Sequence, residues 1–307
     1  MTPWHRAFLL LACGSVGYVF TRQIPRGAPL HVSPDKIKEI SECITREMHD
    51  VAPWRDVSTY PSQYGQDAYI HETFEDILPR HGYFLEFGAR DGVQHSNTYY
   101  FDQIFGYDGV LIEPVPDDYN NAIRSRERYG VSVYHGLACG RTSTEASKKF
   151  VFDVNLEGLG MVADEKKDEK VKKLKDLASE RNQKPHVSEL ELRCLDVQHH
   201  VKVNGIDSLV IMSVDCEGCE LDVLKDFDFV VTPVSILLVE INKDLEDILN
   251  ILIPAGFIPV DARTSDIILV SREFLEKSKL SSKFKGIMRL PSEDICSILN
   301  RPEFMMP

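Results

Sequence analysis

The amino-acid sequence predicts an α/β fold, with a mostly parallel sheet and helices on both faces. Short apolar runs alternate with longer amphipathic or polar runs along most of the chain. The apolar runs have the length of buried strands, and the runs between them have the pattern of helices. Alternating strands and helices are typical of a parallel sheet, because each parallel strand is reached by a long crossover connection.

The predicted elements follow in chain order. Ser33, Pro34 and Asp35 have the chemistry of a helix start, with proline at the first helical position. Helices are predicted at residues 34–49, 97–104, 117–129, 221–227 and 245–253. Buried strands are predicted at residues 83–87, 109–112, 131–134, 209–214 and 235–241, with a closing antiparallel pair at 257–260 and 267–270.

Composition and charge narrow the class of protein. The 307 residues are 43% hydrophobic and 27% charged, which is ordinary for a globular protein. The net charge is −13. An acidic surface repels phosphate backbones, so nucleic acid is excluded as a partner.

The N-terminus is predicted to contact a membrane. Residues 7–20 are uncharged and apolar, with arginines on both sides. The run is short for a bilayer span, which takes about 20 residues. We favour a single-pass anchor over a cleaved signal peptide. The flanking charges leave its orientation open.

The predicted domain boundaries follow changes in composition. Residues 1–32 form the anchor and linker, and residues 33–60 form a helical lead-in. The main domain spans residues 61–275, and a C-terminal extension spans residues 276–307. A charged insertion at 163–185 is predicted to be a solvated helix, with a lid over the site as the alternative.

The cysteines do not predict a disulfide framework. There are seven, an odd number, in a long chain. Cys216 and Cys219 form a C-x-x-C pair, but no second pair stands at zinc spacing. We interpret them as small apolar residues beside a loop, with a redox or zinc role as the alternative.

A glycine loop follows the first predicted strand of the sheet. Glu86, Gly88, Asp91 and Gly92 lie in it. Glycine allows a ligand to approach the backbone closely, although the same pattern also occurs in plain turns. The loop lacks the G-x-G-x-x-G of most NAD sites, which disfavours an NAD-dependent oxidoreductase.

Acidic residues follow two further predicted strands. Glu113 ends the second strand, where an acid can bind the two hydroxyls of a ribose or cap a helix. Asp215 and Glu217 follow the strand at 209–214, at the edge where ligands bind in parallel sheets. They could act as a general base, bind a cation or cap a helix. We predict no resident metal.

These pieces together resemble the FkbM-type methyltransferase family. The resemblance runs from about residue 61 to residue 270 and rests on the order and spacing of short motifs. The matching pieces are SQYGQD at 62–67, FLEFGARDG at 84–92, SNT at 96–98, GVLIEP at 109–114 and SVDCEGCEL at 213–221.

The resemblance implies a Rossmann-like class I methyltransferase with S-adenosylmethionine as methyl donor and oxygen as the usual acceptor. It implies that Glu113 binds the ribose and that Asn97 helps to hold the cofactor's carboxylate or the loop. Asp215 and Glu217 are then the candidate catalytic residues on the acceptor side. The residues implied to hold the methionine part are Glu86, Gly88, Asp91 and Gly92.

The SQYGQD piece with an N-terminal anchor also resembles the animal Star-like proteins. These carry the same domain and act in the trafficking of growth-factor precursors. The resemblance implies a second function, a non-catalytic trafficking module with a secretory cargo protein as partner. It also implies a membrane location in the endoplasmic reticulum, Golgi or endosome. For the enzyme, the acceptor is a small molecule, glycan or lipid that the sequence does not identify.

Overall fold

The computed structural model describes residues 32–47, 59–156, 159–163, 166–241 and 244–277. The predicted anchor at 7–20 and nearly all of the predicted C-terminal extension lie outside these residues. No helix within the described residues is long and apolar enough to cross a membrane. The domain boundaries therefore stay predictions.

Strands and helices alternate as the sequence predicts. The strands are β1 (Tyr83–Phe87), β2 (Asp108–Glu113), β3 (Val131–His135), β4 (Leu137–Cys139), β5 (Ser147–Asp153), β6 (Gly160–Val162), β7 (Val187–Asp196), β8 (Leu209–Val214), β9 (Val234–Glu240), β10 (Phe257–Arg263) and β11 (Asp266–Ser271). The helices are α1 (Pro34–Glu47), α2 (Gln66–Phe74), α3 (Tyr99–Phe105), α4 (Pro116–Arg126), α5 (Lys167–Glu180), α6 (Val197–Val203), α7 (Glu220–Asp226), α8 (Leu245–Leu252) and α9 (Arg272–Lys277).

The main sheet is largely parallel. Among the described residues it has seven strands in the order β10-β11-β9-β8-β1-β2-β3. The pairs from β9 to β3 are parallel, whereas β11 runs antiparallel to both β9 and β10. The mixed α/β fold and the closing antiparallel pair are confirmed. The carboxyl ends of β2, β1, β8 and β9 consequently lie side by side.

Both faces of this sheet are buried under helices. Leu85 and Phe87 belong to a core cluster that includes Ile40 of α1 and Leu249 of α8. Phe84 points to the other face, into a cluster with Phe101 of α3. Successive side chains of β1 point into two different core clusters, one on each face of the sheet. Both sets are apolar, so the sequence of β1 is a continuous apolar run.

The sequence does not predict the second sheet. Four strands in the order β4-β7-β5-β6 form it, and α5 covers it. Leu174 and Ala178 of α5 are fully buried against this layer. The predicted charged helix exists, but one of its faces is core, so the prediction of a solvated helix is wrong for that face. Leu174 and Ala178 are surrounded by Lys and Glu in the sequence, so the contact of α5 with the second sheet cannot be recognised from the pattern of the helix.

Disulfide bonds correct the interpretation of the cysteines. Cys139 pairs with Cys194, and Cys216 pairs with Cys219. Cys43 is also disulfide-bonded. The odd count of cysteines does not exclude these bonds, because pairing depends on which side chains the fold brings together. The first bond lies within the second sheet, since Leu137 of β4 is paired with Cys194 of β7.

Candidate functional site

The predicted site residues gather at one edge of the main sheet. Glu113 ends β2, Gly88 follows β1, Asp215 follows β8 and Glu240 ends β9. Because these strands are parallel neighbours, their carboxyl ends meet at the same edge. The strand order agrees with the prediction that Gly88, Glu113 and Asp215 meet at one edge, and their roles stay predictions.

Gly88 is required by the chain itself. It has φ +64°, and a Cβ atom there would lie 2.2 Å from the backbone oxygen of Asp215. Our interpretation of this glycine as room for a ligand is therefore incomplete, because the close approach is between β1 and β8. The absence of a side chain at Gly88 lets the glycine loop pack directly against Asp215, the first residue after β8.

Replacing Gly88 by alanine is expected to destabilise the protein by about 2–3 kcal/mol, since the clash adds to the cost of a left-handed backbone. Gly205→Ala is the matched control. Gly205 also has a positive φ, +71°, but nothing lies within 4 Å of its Cβ position. It is expected to cost only about 1 kcal/mol. Urea denaturation measures both, and equal losses would contradict the clash.

The rest of the glycine loop is held by local contacts. One oxygen of Asp91 accepts hydrogen bonds from the backbone nitrogens of Val93 and Gln94 at 2.9 and 2.7 Å. Gly92 packs on α4, where a Cβ atom would lie 2.7 Å from the Arg126 side chain. Both residues thus shape the loop, and a contact with cofactor stays a prediction for each.

Glu86 is buried and bound by the segment that follows the loop. Its carboxylate accepts hydrogen bonds from Ser96 Oγ at 2.7 Å and Thr98 Oγ1 at 2.6 Å. The backbone nitrogen of Asn97 donates a third at 2.6 Å. Burial raises the pKa of Glu86, and Arg126 opposes that rise. Glu86 therefore fixes the SNT segment against β1.

Asn97 presents an acceptor that the chain leaves unfilled. Its side-chain nitrogen donates to Ser213 Oγ at 2.9 Å, which ties the loop to β8. Asn97 is only 7% exposed, yet its Oδ1 atom has no hydrogen-bond partner. A buried acceptor without a donor is costly, and a ligand donor is one way to satisfy it.

Glu113 holds the first turn of the loop. Its two carboxylate oxygens accept from the backbone nitrogens of Arg90 at 2.7 Å and Val115 at 2.8 Å. Burial raises the pKa of Glu113 to about 8. Each carboxylate oxygen can accept a second hydrogen bond, so the residue keeps the capacity to bind hydroxyl groups.

Four carboxyl groups converge beyond β8 and β9. Asp215, Glu217 and Glu240 each place a carboxylate oxygen within 4.8 Å of the others. Asp266 of β11 lies opposite Glu240 in the sheet register. Burial and the neighbouring Glu240 raise the pKa of Asp215 well above its ordinary range. The same causes raise the pKa of Glu217 to about 8 and of Asp266 to about 7.

The spacing of three of these carboxylates would allow one cation to contact them all. Acidic clusters also occur without an ion, and we assign no metal here. The sequence prediction of no resident metal stays a prediction.

The sequence analysis uses the SQYGQD segment for the family resemblance but predicts no role for it in the site. In the structure, this segment contacts the acidic cluster. Gln66 donates a side-chain hydrogen bond to Asp266 and accepts one from the backbone nitrogen of Tyr64 at 2.8 Å. Burial raises the pKa of Tyr64, and the charges of Asp266, Glu240 and Asp215 raise it further. The motif signal is present in the sequence, but only the fold brings it next to β9 and β11.

The charged helix α5 also reaches this site. Lys173 lies near enough to Glu217 to oppose the rise of its pKa by electrostatic attraction. It is exposed at the surface of α5. The alternative prediction, that the insertion forms a lid over the site, stays a prediction.

A further cavity among the described residues lies away from this edge. It has a volume of about 870 Å³ and is lined by Gly82, Asp108, Leu209 and Ser235, at the amino ends of the strands. The sheet separates it from the carboxyl edge, so it is not the predicted site.

Comparison with known proteins agrees with the geometry of the edge. No curated protein matched the chain. A family model, the methyltransferase FkbM domain, matches residues 86–259, from the end of β1 to β10. Because that match covers more than half of the 307 residues, the chain belongs to the FkbM methyltransferase domain family.

Proposed function

We propose that the protein transfers a methyl group from S-adenosylmethionine to an oxygen of a small molecule, glycan or lipid. Membership of the FkbM family supports methyl transfer in general, and the family generally depends on this cofactor. The order of the main sheet, with its antiparallel closing strand, agrees with a class I methyltransferase.

The observation that carries the proposal is the unfilled acceptor of Asn97, in the segment that the Glu86 carboxylate binds. Asn97 Oδ1 is buried without a donor, and S-adenosylmethionine brings an amino group and two ribose hydroxyls as donors. Glu113 ends the neighbouring strand with spare acceptor capacity for the ribose. When bound, the cofactor supplies an electrophilic methyl group.

Asp215 and Glu217 fit the acceptor side. A general base works best with a pKa near the working pH, and the raised pKa values of these acids are in that range or above it. Either carboxylate would take the proton of the acceptor hydroxyl. Holding the acceptor oxygen in line with the methyl group supplies much of the rate.

Titration calorimetry with S-adenosylmethionine tests the proposal. We expect binding by the full chain, and we expect Glu113→Ala to weaken it about tenfold, because the hydrogen bonds to the ribose hydroxyls are lost and each contributes about 0.5–1.5 kcal/mol. Glu246→Gln, at an exposed position of α8, is the control and should bind as the wild type does. Circular dichroism establishes that each variant is folded. Absence of binding by folded wild-type protein would refute the cofactor assignment.

The second candidate function is a Star-like trafficking module of the secretory pathway. The disulfides Cys139–Cys194 and Cys216–Cys219 favour its compartment, because such bonds persist in oxidising environments. They are equally compatible with a secretory enzyme anchored through residues 7–20. Carbonate extraction followed by cargo co-purification separates the two candidates. Membrane-bound protein that retains cargo and transfers no methyl group would favour the trafficking module.

A further inference from the structure

The loop that carries the acceptor-side acids is closed by a disulfide. Cys216 and Cys219 flank Glu217 and Gly218, and their Cα atoms lie 5.5 Å apart. Asp215 immediately precedes the loop. The bond therefore encloses one of the two candidate bases within a ring of four residues.

Glu217 has a backbone that glutamate rarely adopts. Its φ is +55°, in the left-handed region, and Gly218 follows with φ +113°. Such a conformation costs free energy and persists only where the surroundings impose it. Its neighbours Asp215 and Glu240 repel the Glu217 carboxylate, so they do not explain why the side chain is held there.

The loop is held by hydrogen bonds to Glu220 and by the disulfide. The Glu220 carboxylate accepts from the backbone nitrogens of Cys216 and Gly218, both at 3.1 Å. These bonds fix the residues on either side of Glu217. The disulfide fixes the ends of the same segment.

We propose that the Cys216–Cys219 disulfide is a positioning device for Glu217. Its closure imposes the left-handed backbone that places the Glu217 carboxylate beside Asp215 and Glu240, and its reduction releases that carboxylate. The inference rests on the proposed function, because it gives Glu217 its place on the acceptor side.

A small thiol can reach the bond. Cys219 lines a cavity of about 260 Å³ together with Thr142, Asp222 and Lys225. With glutathione as reductant, the S–S bond breaks and each cysteine sulfur takes up one electron and one proton. The two glutathione molecules supply both and leave joined as one disulfide. The site then contains two thiols and an open loop.

The test is the equilibrium between dithiol and disulfide in glutathione redox buffers, read by alkylation and peptide mass spectrometry. Glu217→Gly and Glu217→Ala are compared, because both lack the carboxylate and only glycine adopts the left-handed region without strain. Closure of Cys216–Cys219 is expected to be about fivefold more favourable with glycine than with alanine. Cys139–Cys194 is the control in the same samples and should not change.

Coupling between two events is reciprocal, so a closure constant that depends on residue 217 means that closure also sets its backbone. Equal constants in the two variants, or an equal change at Cys139–Cys194, would overturn the proposal. Wild-type protein gives an independent measurement through amide hydrogen exchange. Reduction is expected to speed exchange in the peptide 213–221, and unchanged exchange in fully reduced protein would also overturn it.

Binding of S-adenosylmethionine is titrated on the oxidised and the reduced wild-type samples. We expect similar affinity in both, because Asn97 and Glu113 lie outside the loop. No binding in either state would contradict the proposed function, while the closure constants would still decide whether the disulfide positions Glu217.

Discussion

Replacing Arg126 by leucine is expected to lower the free energy of unfolding by about 3–5 kcal/mol, the cost of removing one partner from a buried ion pair. Arg126 is 2% exposed and pairs with Asp102 of α3. Its guanidinium also donates to the backbone oxygen of Gly92 at 2.7 Å and to Thr98 Oγ1 at 3.1 Å. Leucine fills part of the volume but leaves the Asp102 carboxylate buried with less compensation.

The matched control lies on the same helix. Arg124 is exposed and hydrogen-bonded only locally, to Asn121. Arg124→Leu should change stability by less than about 0.5 kcal/mol. Urea denaturation at pH 7 measures both variants. Similar midpoints for the two would mean that the buried network contributes little beyond its packing.

The loss at Arg126 should extend to cofactor binding. Arg126 Nη1 lies 4.0 Å from Glu86 Oε2 and donates to Ser96 Oγ at 3.2 Å. The same guanidinium therefore supports both the strand end and the segment that carries Asn97. The glycine loop owes its shape to α4 as much as to its own glycines.

The sequence predicts the centre of the main sheet well because β1, β2, β8 and β9 are mostly buried on both faces. β1 and β8 have the predicted bounds, residues 83–87 and 209–214. Such strands are continuous apolar runs, and a glycine or an acidic residue marks the carboxyl end of each one. The position of Gly88, Glu113 and Asp215 at these ends predicts that they meet at one edge of the sheet.

Other features depend on contacts that no local pattern reveals. β7 alternates charged and apolar residues, and β5 begins with Ser147, Lys148 and Lys149, so neither has the continuous apolar run of a buried strand. Cys139 and Cys194 are separated by 55 residues and meet only because β4 lies beside β7. Gly88 reads as a ligand-binding glycine although the backbone of Asp215 is what demands it.

Some members of the acidic cluster can be predicted from a local sequence pattern, and others only from tertiary contacts. Asp215 and Glu217 can be singled out from the sequence by their place after a buried strand. Asp266 cannot, because it comes near them only through the antiparallel pairing of β11 with β9. Its proximity is part of why Asp215 holds a proton more tightly than an ordinary aspartate.

Asp215→Asn is expected to reduce the rate of methyl transfer by about 10²–10⁴-fold if Asp215 is the general base, since that is the usual contribution of such a group. Cofactor affinity should change little. The rate is measured as tritium passed from labelled S-adenosylmethionine to acceptors in a glycan and lipid extract. Asp222→Asn, an exposed carboxylate on α7, is the control and should retain full activity.

The pH dependence of the methyl-transfer rate tests the same general-base mechanism. A base works only when deprotonated, so the wild-type rate should rise with pH until the raised pKa of the acids is passed, at about 8 for Glu217. If Glu217 is the base, Glu217→Gln removes that rise along with the rate. If Asp215 is the base, Glu217→Gln keeps activity and moves the rise to lower pH, because one neighbouring negative charge is lost. A flat profile from pH 6 to 9 in the wild type, with both variants active, would contradict general-base catalysis by either carboxylate.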